Sequence, residues 1–128
     1  MIAGVGIDMI EVARVAEKIG KNSGFRELVF SPHEIAYCEK KANKFEHYAA
    51  RFAAKEAFLK AAGTGWINEL NLYEIEVKND ENGKPAICLS GTSEVAFHSK
   101  GFGRVSVSIS HLKSIASAIV IIEYHQPA

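Results

Sequence analysis

Residues 45 to 62 read FEHYAARFAAKEAFLKAA, and this stretch predicts the longest helix of the fold. Alanine is the strongest helix former, and the stretch contains no glycine or proline to interrupt the backbone hydrogen bonds. Gly63 is expected to end the helix, and Gly63-Thr64-Gly65 to form a flexible exit from it. We therefore expect one long, uninterrupted helix in the first half of the chain.

The segment before this helix begins with a predicted strand. Residues 2 to 10 are expected to be a buried strand, with Val5 and Ile7 on one face and Asp8 on the other. The glycines of Gly4-Val5-Gly6 permit the close approach of another backbone.

Three shorter helical pieces are expected between the strand and the long helix. Residues 11 to 20 carry an apolar stripe at helical spacing and end at Gly20, and residues 25 to 30 are short helical or irregular. The run Ser31-Pro32-His33-Glu34 is typical of a helix start, because Ser31 and Glu34 can form a capping box.

The second half of the chain alternates in the manner of strands. Strands are predicted over residues 72 to 77 (Tyr73, Ile75 and Val77 on one face), from Pro85 to Leu89, over 104 to 110 and over 115 to 123, with a turn at 79 to 83 and a helix from Thr92 to Gly101. The last two strands should pair as a hairpin. The sequence thus predicts an α+β fold with mainly antiparallel pairing and one domain over residues 1 to 128.

Composition excludes several classes of protein. The 128 residues carry no net charge and no interleaving of aromatic and basic residues, which argues against a nucleic-acid partner. The N-terminus lacks the basic region of a signal peptide, and the apolar run 115 to 122 is too short to span a bilayer. We expect a cytoplasmic protein without a membrane partner.

Two carboxylates stand in unusual places. Asp8 interrupts an apolar strand, and Glu56 lies among alanines on the long helix. A buried carboxylate must be neutral, paired or metal-bound, and magnesium prefers one or two carboxylates together with waters and substrate phosphates. The alternatives are a structural Asp8 and a surface ion pair between Glu56 and Lys60, four residues on.

Basic residues occur on the long predicted helix and on the helix predicted over residues 11 to 20. Arg51, Lys55 and Lys60 flank Glu56 and could bind a phosphorylated substrate or simply solvate the helix. Arg14, Lys18 and Lys21 follow helical spacing, with Arg26 soon after; they form a solvated face or a docking surface for an acidic partner. His111, at a strand end, is a candidate phosphate contact or a structural histidine.

These residues together resemble a known family. The runs Gly4-Val5-Gly6-Ile7-Asp8, Arg51-Phe52-Ala53-Ala54-Lys55-Glu56-Ala57 and Ser108-Ile109-Ser110-His111 resemble holo-acyl-carrier-protein synthase, the small bacterial type of phosphopantetheinyl transferase. The resemblance covers essentially the whole chain. Leu112 and the stretch from Trp66 to Leu72 depart from the family's pattern.

The resemblance implies an activity and a set of site residues. The chain would transfer 4'-phosphopantetheine from coenzyme A to a serine of apo acyl carrier protein for fatty acid biosynthesis, as a homotrimer with active sites between subunits. Asp8 and Glu56 match the family's catalytic magnesium ligands. The resemblance assigns coenzyme A contacts to Lys60, Gly83, Lys84, Pro85 and His111, and we predict that Arg51, Lys55 and Gly63 join them. The resemblance also places Arg14 on the helix that docks the carrier protein, and the basic residues Lys18, Lys21 and Arg26 are predicted to extend this docking surface.

Two questions remain open at this point. The general base could be a metal-associated water, Glu56 itself or Glu34. A non-catalytic module that holds a nucleotide or a carrier protein is the alternative function, although such a module has no use for the two misplaced carboxylates.

Overall fold

Two antiparallel sheets and five α-helices make up residues 1–63 and 71–126, which are the residues that the computed structural model describes. The elements are β1 (Ile2–Glu11), α1 (Val12–Gly20), α2 (Phe25–Val29), α3 (Pro32–Glu39), α4 (Lys44–Ala62), a 3-10 turn (Leu72–Glu74), β2 (Ile75–Asn79), β3 (Pro85–Leu89), α5 (Gly91–Ser99), β4 (Phe102–His111) and β5 (Ile115–Tyr124). The predicted α+β class with antiparallel pairing is confirmed.

The larger sheet brings the two ends of the chain together. Its strand order is β1-β5-β4, so the C-terminal strand lies between the N-terminal strand and its own hairpin partner. Asp8 is opposite Ala118 of β5, and His111 is opposite Ala116. Strands β2 and β3 form a separate two-stranded sheet. Asp8 and His111 therefore belong to the two outer strands of one sheet, near the same end.

Helix α4 packs against this sheet at very short range. A Cβ atom built on Gly4 would lie 1.9 Å from the carbonyl oxygen of Ala61, and one built on Gly6 would lie 1.9 Å from that of Ala57. No side chain fits in such a space, so glycine is required at both positions of the strand. The contact fixes the position of β1 relative to α4.

The prediction of a buried β1 is only half right. Gly6 is buried against α4, but Val5, Ile7 and Met9 on the opposite face are 54%, 61% and 65% exposed. Among residues 1–63 and 71–126, no layer packs on the outer face of the sheet along β1. An exposed apolar strip of this kind marks an interaction surface more often than a solvated one.

The predicted strand over residues 72 to 77 begins too early. Leu72–Glu74 form a 3-10 turn, Tyr73 is exposed, and only Ile75 and Val77 share the buried face. The side chain of Glu74 accepts hydrogen bonds from the backbone N–H groups of Thr92 and Ser93 at the start of α5. Residues 72–74 form a turn that carries the Glu74 carboxylate to the N-terminus of α5. The strand therefore begins only after this turn, at Ile75.

A buried ion pair joins α3, α4 and β2. The Nζ atom of Lys55 lies 2.8 Å from Glu34 Oε1 and also donates to the carbonyl oxygens of Leu72 and Ile75, at 2.9 and 2.6 Å. Glu34 accepts from the backbone N–H groups of Ser31 and Val77. Burial lowers the pKa of Lys55, against the opposing attraction of Glu34.

The capping box predicted at Ser31 is present, so Glu34 has two structural roles. Its side chain caps α3 and neutralises the lysine of α4.

Along the described ranges, no helix has both the length and the apolar composition needed to cross a membrane.

Replacing Gly6 with alanine should push β1 away from α4. We expect Gly6→Ala to reduce the free energy of unfolding by about 2 kcal/mol or more, because backbone atoms must move. Urea denaturation measures the loss. Gly20→Ala is the matched control, since nothing lies within 4 Å of its added Cβ. Equal stability of the two variants would contradict the close contact.

Removing the lysine of the buried ion pair should leave a charge without a partner. We expect Lys55→Met to cost about 3–5 kcal/mol of unfolding free energy, and the double variant Glu34→Gln/Lys55→Met to regain part of this loss. Lys40→Met, on the exposed residue after α3, serves as the control. A double variant as unstable as the sum of the two single variants would show that the two side chains act independently.

Candidate functional site

Asp8 and Glu56 line one cleft between β1 and α4. The cleft has a volume of about 300 Å³, and its wall also includes Glu11, Arg14 and Phe52. The close contact of β1 with α4 holds the two carboxylates on rigid elements. Phe52 and Glu56 are four residues apart on α4, and therefore lie on the same side of the helix.

The carboxylates of this cleft repel each other. Partial burial raises the pKa of Glu56, and the negative charge of Asp8 raises it further, while Lys60 and Lys18 oppose the shift. Lys60 does not pair with Glu56: its Nζ atom lies 3.2 Å from Asp8 Oδ1 and 2.9 Å from the carbonyl oxygen of Ile7. The surface pair considered for Glu56 is thus absent from the described residues.

The donor set of the cleft suits a hard divalent cation. Magnesium takes one or two protein carboxylates and completes its shell with waters and substrate phosphates. Among residues 1–63 and 71–126, no group of three or more His, Cys, Asp or Glu side chains is arranged to hold a metal by itself. Asp8 and Glu56 fit an ion that a phosphorylated substrate helps to bind, since together they supply the one or two carboxylates that magnesium takes from a protein.

A second cleft lies on the other side of α4. Its volume is about 220 Å³, and it collects residues from α3, α4, the β2–β3 turn and β4: Tyr37, His47, Ala50, Arg51, Asn79, Gly83, Pro85, Ile109 and His111. Four of the residues predicted to bind coenzyme A meet here, namely Arg51, Gly83, Pro85 and His111. The sequence contained no sign that these four belong to one wall.

Arg51 is the most unusual group of the second cleft. The residue is only 4% exposed, its guanidinium stacks on the ring of Tyr37 at 4.1 Å, and Nη2 donates to Asn79 Oδ1 at 2.7 Å. Its Nε atom is buried and has no hydrogen-bond partner among the described residues. A buried N–H group of a cation without an acceptor is costly, so the site suits an anionic ligand.

Three residues of this cleft were missed in the sequence: Tyr37, His47 and Asn79. His47 precedes Arg51 by four residues on α4, a spacing that could have placed both on one side of the helix. Tyr37 and Asn79 reach Arg51 only through tertiary packing, and no sequence pattern indicates that.

Two sequence hypotheses need correction. Lys55 was expected to contact coenzyme A, but it is fully buried and bound to Glu34 and two backbone carbonyls. Glu34 was a candidate general base, but its carboxylate is occupied by Lys55 and by the backbone of Ser31 and Val77. Both residues have a structural role, because they join α3, α4 and β2 in the interior.

The loop residues predicted to bind coenzyme A do not all lie at a cleft. Gly83 has a positive φ of 85° and completes the β2–β3 turn, where its carbonyl accepts a hydrogen bond from Asn79. Lys84 is exposed beside it. Gly63 ends α4 with a φ of 94° and lines neither of these clefts. Thr64 and Gly65 of the predicted flexible exit lie outside the described residues.

The basic residues predicted to dock a partner are split between two helices. Arg14 reaches the wall of the carboxylate cleft, whereas Lys18 lies over the rings of Phe25 and Phe52. Lys21 follows the end of α1, and its Nζ atom lies 3.6 Å from a side-chain oxygen of Glu17. Arg26 belongs to α2 and is paired with Glu27 and Glu39.

Comparison with known proteins yields consistent similarities. A model of the 4'-phosphopantetheinyl transferase superfamily matches residues 4–117. A relative from Cytophaga hutchinsonii, named holo-[acyl-carrier-protein] synthase, is 49% identical over 94% of this chain and 97% of its own.

Two solved structures are also similar to this chain. The holo-[acyl-carrier-protein] synthase of Neisseria meningitidis superposes with a TM-score of 0.88 at 31% identity, over 96% of this chain and 99% of that one. A holo-(acyl-carrier-protein) synthase of Bacillus anthracis in complex with CoA (3',5'-ADP) has a TM-score of 0.80 at 37% identity, over 98% and 99% of the two chains. The chain therefore belongs to the 4'-phosphopantetheinyl transferase superfamily.

Proposed function

We propose that the chain transfers the 4'-phosphopantetheine group of coenzyme A to a serine of apo acyl carrier protein, forming the holo carrier needed for fatty acid biosynthesis. The observation that carries the proposal is the pair of carboxylates in one cleft, Asp8 of β1 and Glu56 of α4. Helix α4 also carries Arg51, whose buried Nε atom has no hydrogen-bond partner among the described residues. A binding module without chemistry has no need for a carboxylate whose pKa is raised by burial and by a second carboxylate.

Asp8 and Glu56 are the residues that would hold magnesium. The ion, when bound, neutralises charge on the pyrophosphate of coenzyme A and on the leaving phosphate. The Nζ atom of Lys60 lies 3.2 Å from Asp8 Oδ1, which places a cation at the edge of the cleft. The three side chains together orient a phosphate group for attack.

The transfer exchanges one phosphorus–oxygen bond for another. The serine oxygen of the carrier attacks the phosphorus that bears pantetheine, the bond from that phosphorus to the bridging oxygen breaks, and adenosine 3',5'-bisphosphate leaves. The serine proton must pass to a base. Glu56, which lines the cleft, is one candidate for this base.

The second cleft supplies cations for the remaining phosphates. Arg51 presents a buried guanidinium with an N–H that has no acceptor among the described residues, and His111 adds an imidazole. The backbone of Gly83 and Pro85 forms the adjoining wall. An arginine held by stacking on Tyr37 loses little freedom when it binds a phosphate.

One chain cannot readily offer both clefts to one coenzyme A. Arg51 and Glu56 are five residues apart, so their side chains leave α4 roughly 140° apart at about 100° per residue. We propose that the chain forms a homotrimer, in which the Arg51 cleft of one subunit faces the Asp8–Glu56 cleft of the next. A site shared between subunits resolves this geometric conflict.

The outer face of β1 supports such an assembly. Val5, Ile7 and Met9 point outward, and the exposed Ile115 and Ile119 of β5 lie on the neighbouring strand. Met9 and Ile115 also line the carboxylate cleft. A subunit packed on this apolar strip would therefore cover the rim of the cleft and exclude water from the chemistry.

Carrier docking is proposed for the basic residues near the same cleft. Arg14 lines the cleft, and Lys18 and Lys21 extend from it along α1. An acidic carrier bound to α1 would bring its serine to Asp8 and Glu56. Arg26, already paired with two carboxylates, contributes less to this surface than Arg14 does.

Removal of either cleft carboxylate should abolish most of the transfer. We expect Glu56→Gln and Asp8→Asn each to lower the rate roughly a thousandfold, because each removes a charge that stabilises the transition state. Mass spectrometry of the carrier measures the rate. Glu17→Gln, on an exposed carboxylate of α1, should keep near-normal activity. Near-normal transfer by Glu56→Gln in the presence of magnesium would show that the site is misassigned.

Mixed assemblies test whether the site is shared between subunits. Glu56→Gln and Arg51→Ala should each be nearly inactive alone, yet recover about a quarter of wild-type activity when the two chains are refolded together in equal amounts. Random mixing gives that fraction of interfaces with both native residues. No recovery, with wild-type chains regaining activity under the same treatment, would place the whole site within one chain.

A further inference from the structure

Glu46 occupies the first turn of α4 and makes a contact that the sequence did not indicate. Its Oε1 atom lies 3.0 Å from Nδ1 of His111, across 65 residues of sequence. Both side chains are partly buried at the edge of the Arg51 cleft, with exposed fractions of 17% and 29%. The pair links the beginning of α4 to the end of β4.

The chemistry of the pair determines which nitrogen of His111 carries a proton. An ionised carboxylate only accepts hydrogen bonds, so Nδ1 must be the donor. The hydrogen bond from His111 lowers the pKa of Glu46, which keeps this carboxylate ionised. Along the described residues, no hydrogen bond occupies the other ring nitrogen, Nε2.

The cleft around His111 is rich in cations. The His47 ring lies 5.3 Å from that of His111, and Arg51 follows His47 by one helical turn. Burial lowers the pKa of His47, and repulsion from His111, Arg51 and Lys41 lowers it further. Glu46 is the carboxylate that contacts His111 directly, so it places a negative charge beside the two histidine rings.

We propose that Glu46 is a positioning residue for coenzyme A, which fixes the ring of His111 and directs Nε2 toward a phosphate oxygen in the Arg51 cleft. The inference rests on the proposed function, because it takes the cleft to bind the phosphates of coenzyme A. Glu46 touches His111 and acts through it. A carboxylate that orients a ligating histidine is a common way to set its tautomer.

Substitution of Glu46 should weaken coenzyme A binding without slowing chemistry. We expect Glu46→Gln to raise KM for coenzyme A roughly tenfold, with kcat changed by less than about twofold, because a charge-assisted contact that acts in binding is lost. Glu94→Gln is the matched control, since Glu94 also lies in the first turn of a helix. Thermal unfolding establishes that both variants remain folded.

Two further readouts separate positioning from a purely structural tether. In the His111→Ala background, Glu46→Gln should raise KM no further, because the residue through which Glu46 acts is absent. Ring ¹⁵N chemical shifts, recorded on the protein without ligand, should show His111 losing its dominant Nδ1–H form in Glu46→Leu, which has no acceptor, but not in Glu94→Leu.

The outcomes distinguish this inference from the proposed function. An unchanged KM in Glu46→Gln together with unchanged ring shifts in Glu46→Leu, or a KM effect that persists without His111, would overturn the role of Glu46. If the wild-type protein transfers nothing, the proposed function fails, and the ring shifts alone decide whether Glu46 sets the state of His111.

Discussion

The backbone contact between β1 and α4 is the constraint on which the rest of the structure depends. Gly4 and Gly6 lie so close to the carbonyl oxygens of Ala61 and Ala57 that neither position tolerates a side chain. This contact places Asp8, two residues further along β1, in the same cleft as Glu56. Burial and the nearby charge of Asp8 both raise the pKa of Glu56, and two carboxylates in one cleft suit a cation.

Helix α4 connects the core to both clefts. One side of it carries Glu56, another carries Arg51, and Lys55 between them points into the protein to neutralise Glu34. Most of the helix is buried, including Arg51 and Lys55. Because the two clefts open on different sides of α4, we propose that a second subunit completes the site.

Much of the fold could be predicted from the sequence, because local patterns determined it. The alanine-rich helix, the capping box of Ser31 and the alternating hairpin all follow from spacing, and the structure contains each of them. Patterns could not show what depends on tertiary contact. The outward face of β1, the burial of Lys55 and the stacking of Tyr37 on Arg51 depend on which elements meet in space. The same limit hid the contact between Glu46 and His111.

We propose that this chain performs a group transfer and does not merely bind its ligands. The most direct test of this activity is to incubate the protein with apo acyl carrier protein, coenzyme A and magnesium, and to measure the mass of the intact carrier. We expect the carrier to gain the mass of one phosphopantetheine group on its serine, with release of adenosine 3',5'-bisphosphate. An unchanged carrier mass, while an established transferase modifies the same carrier preparation, would contradict it.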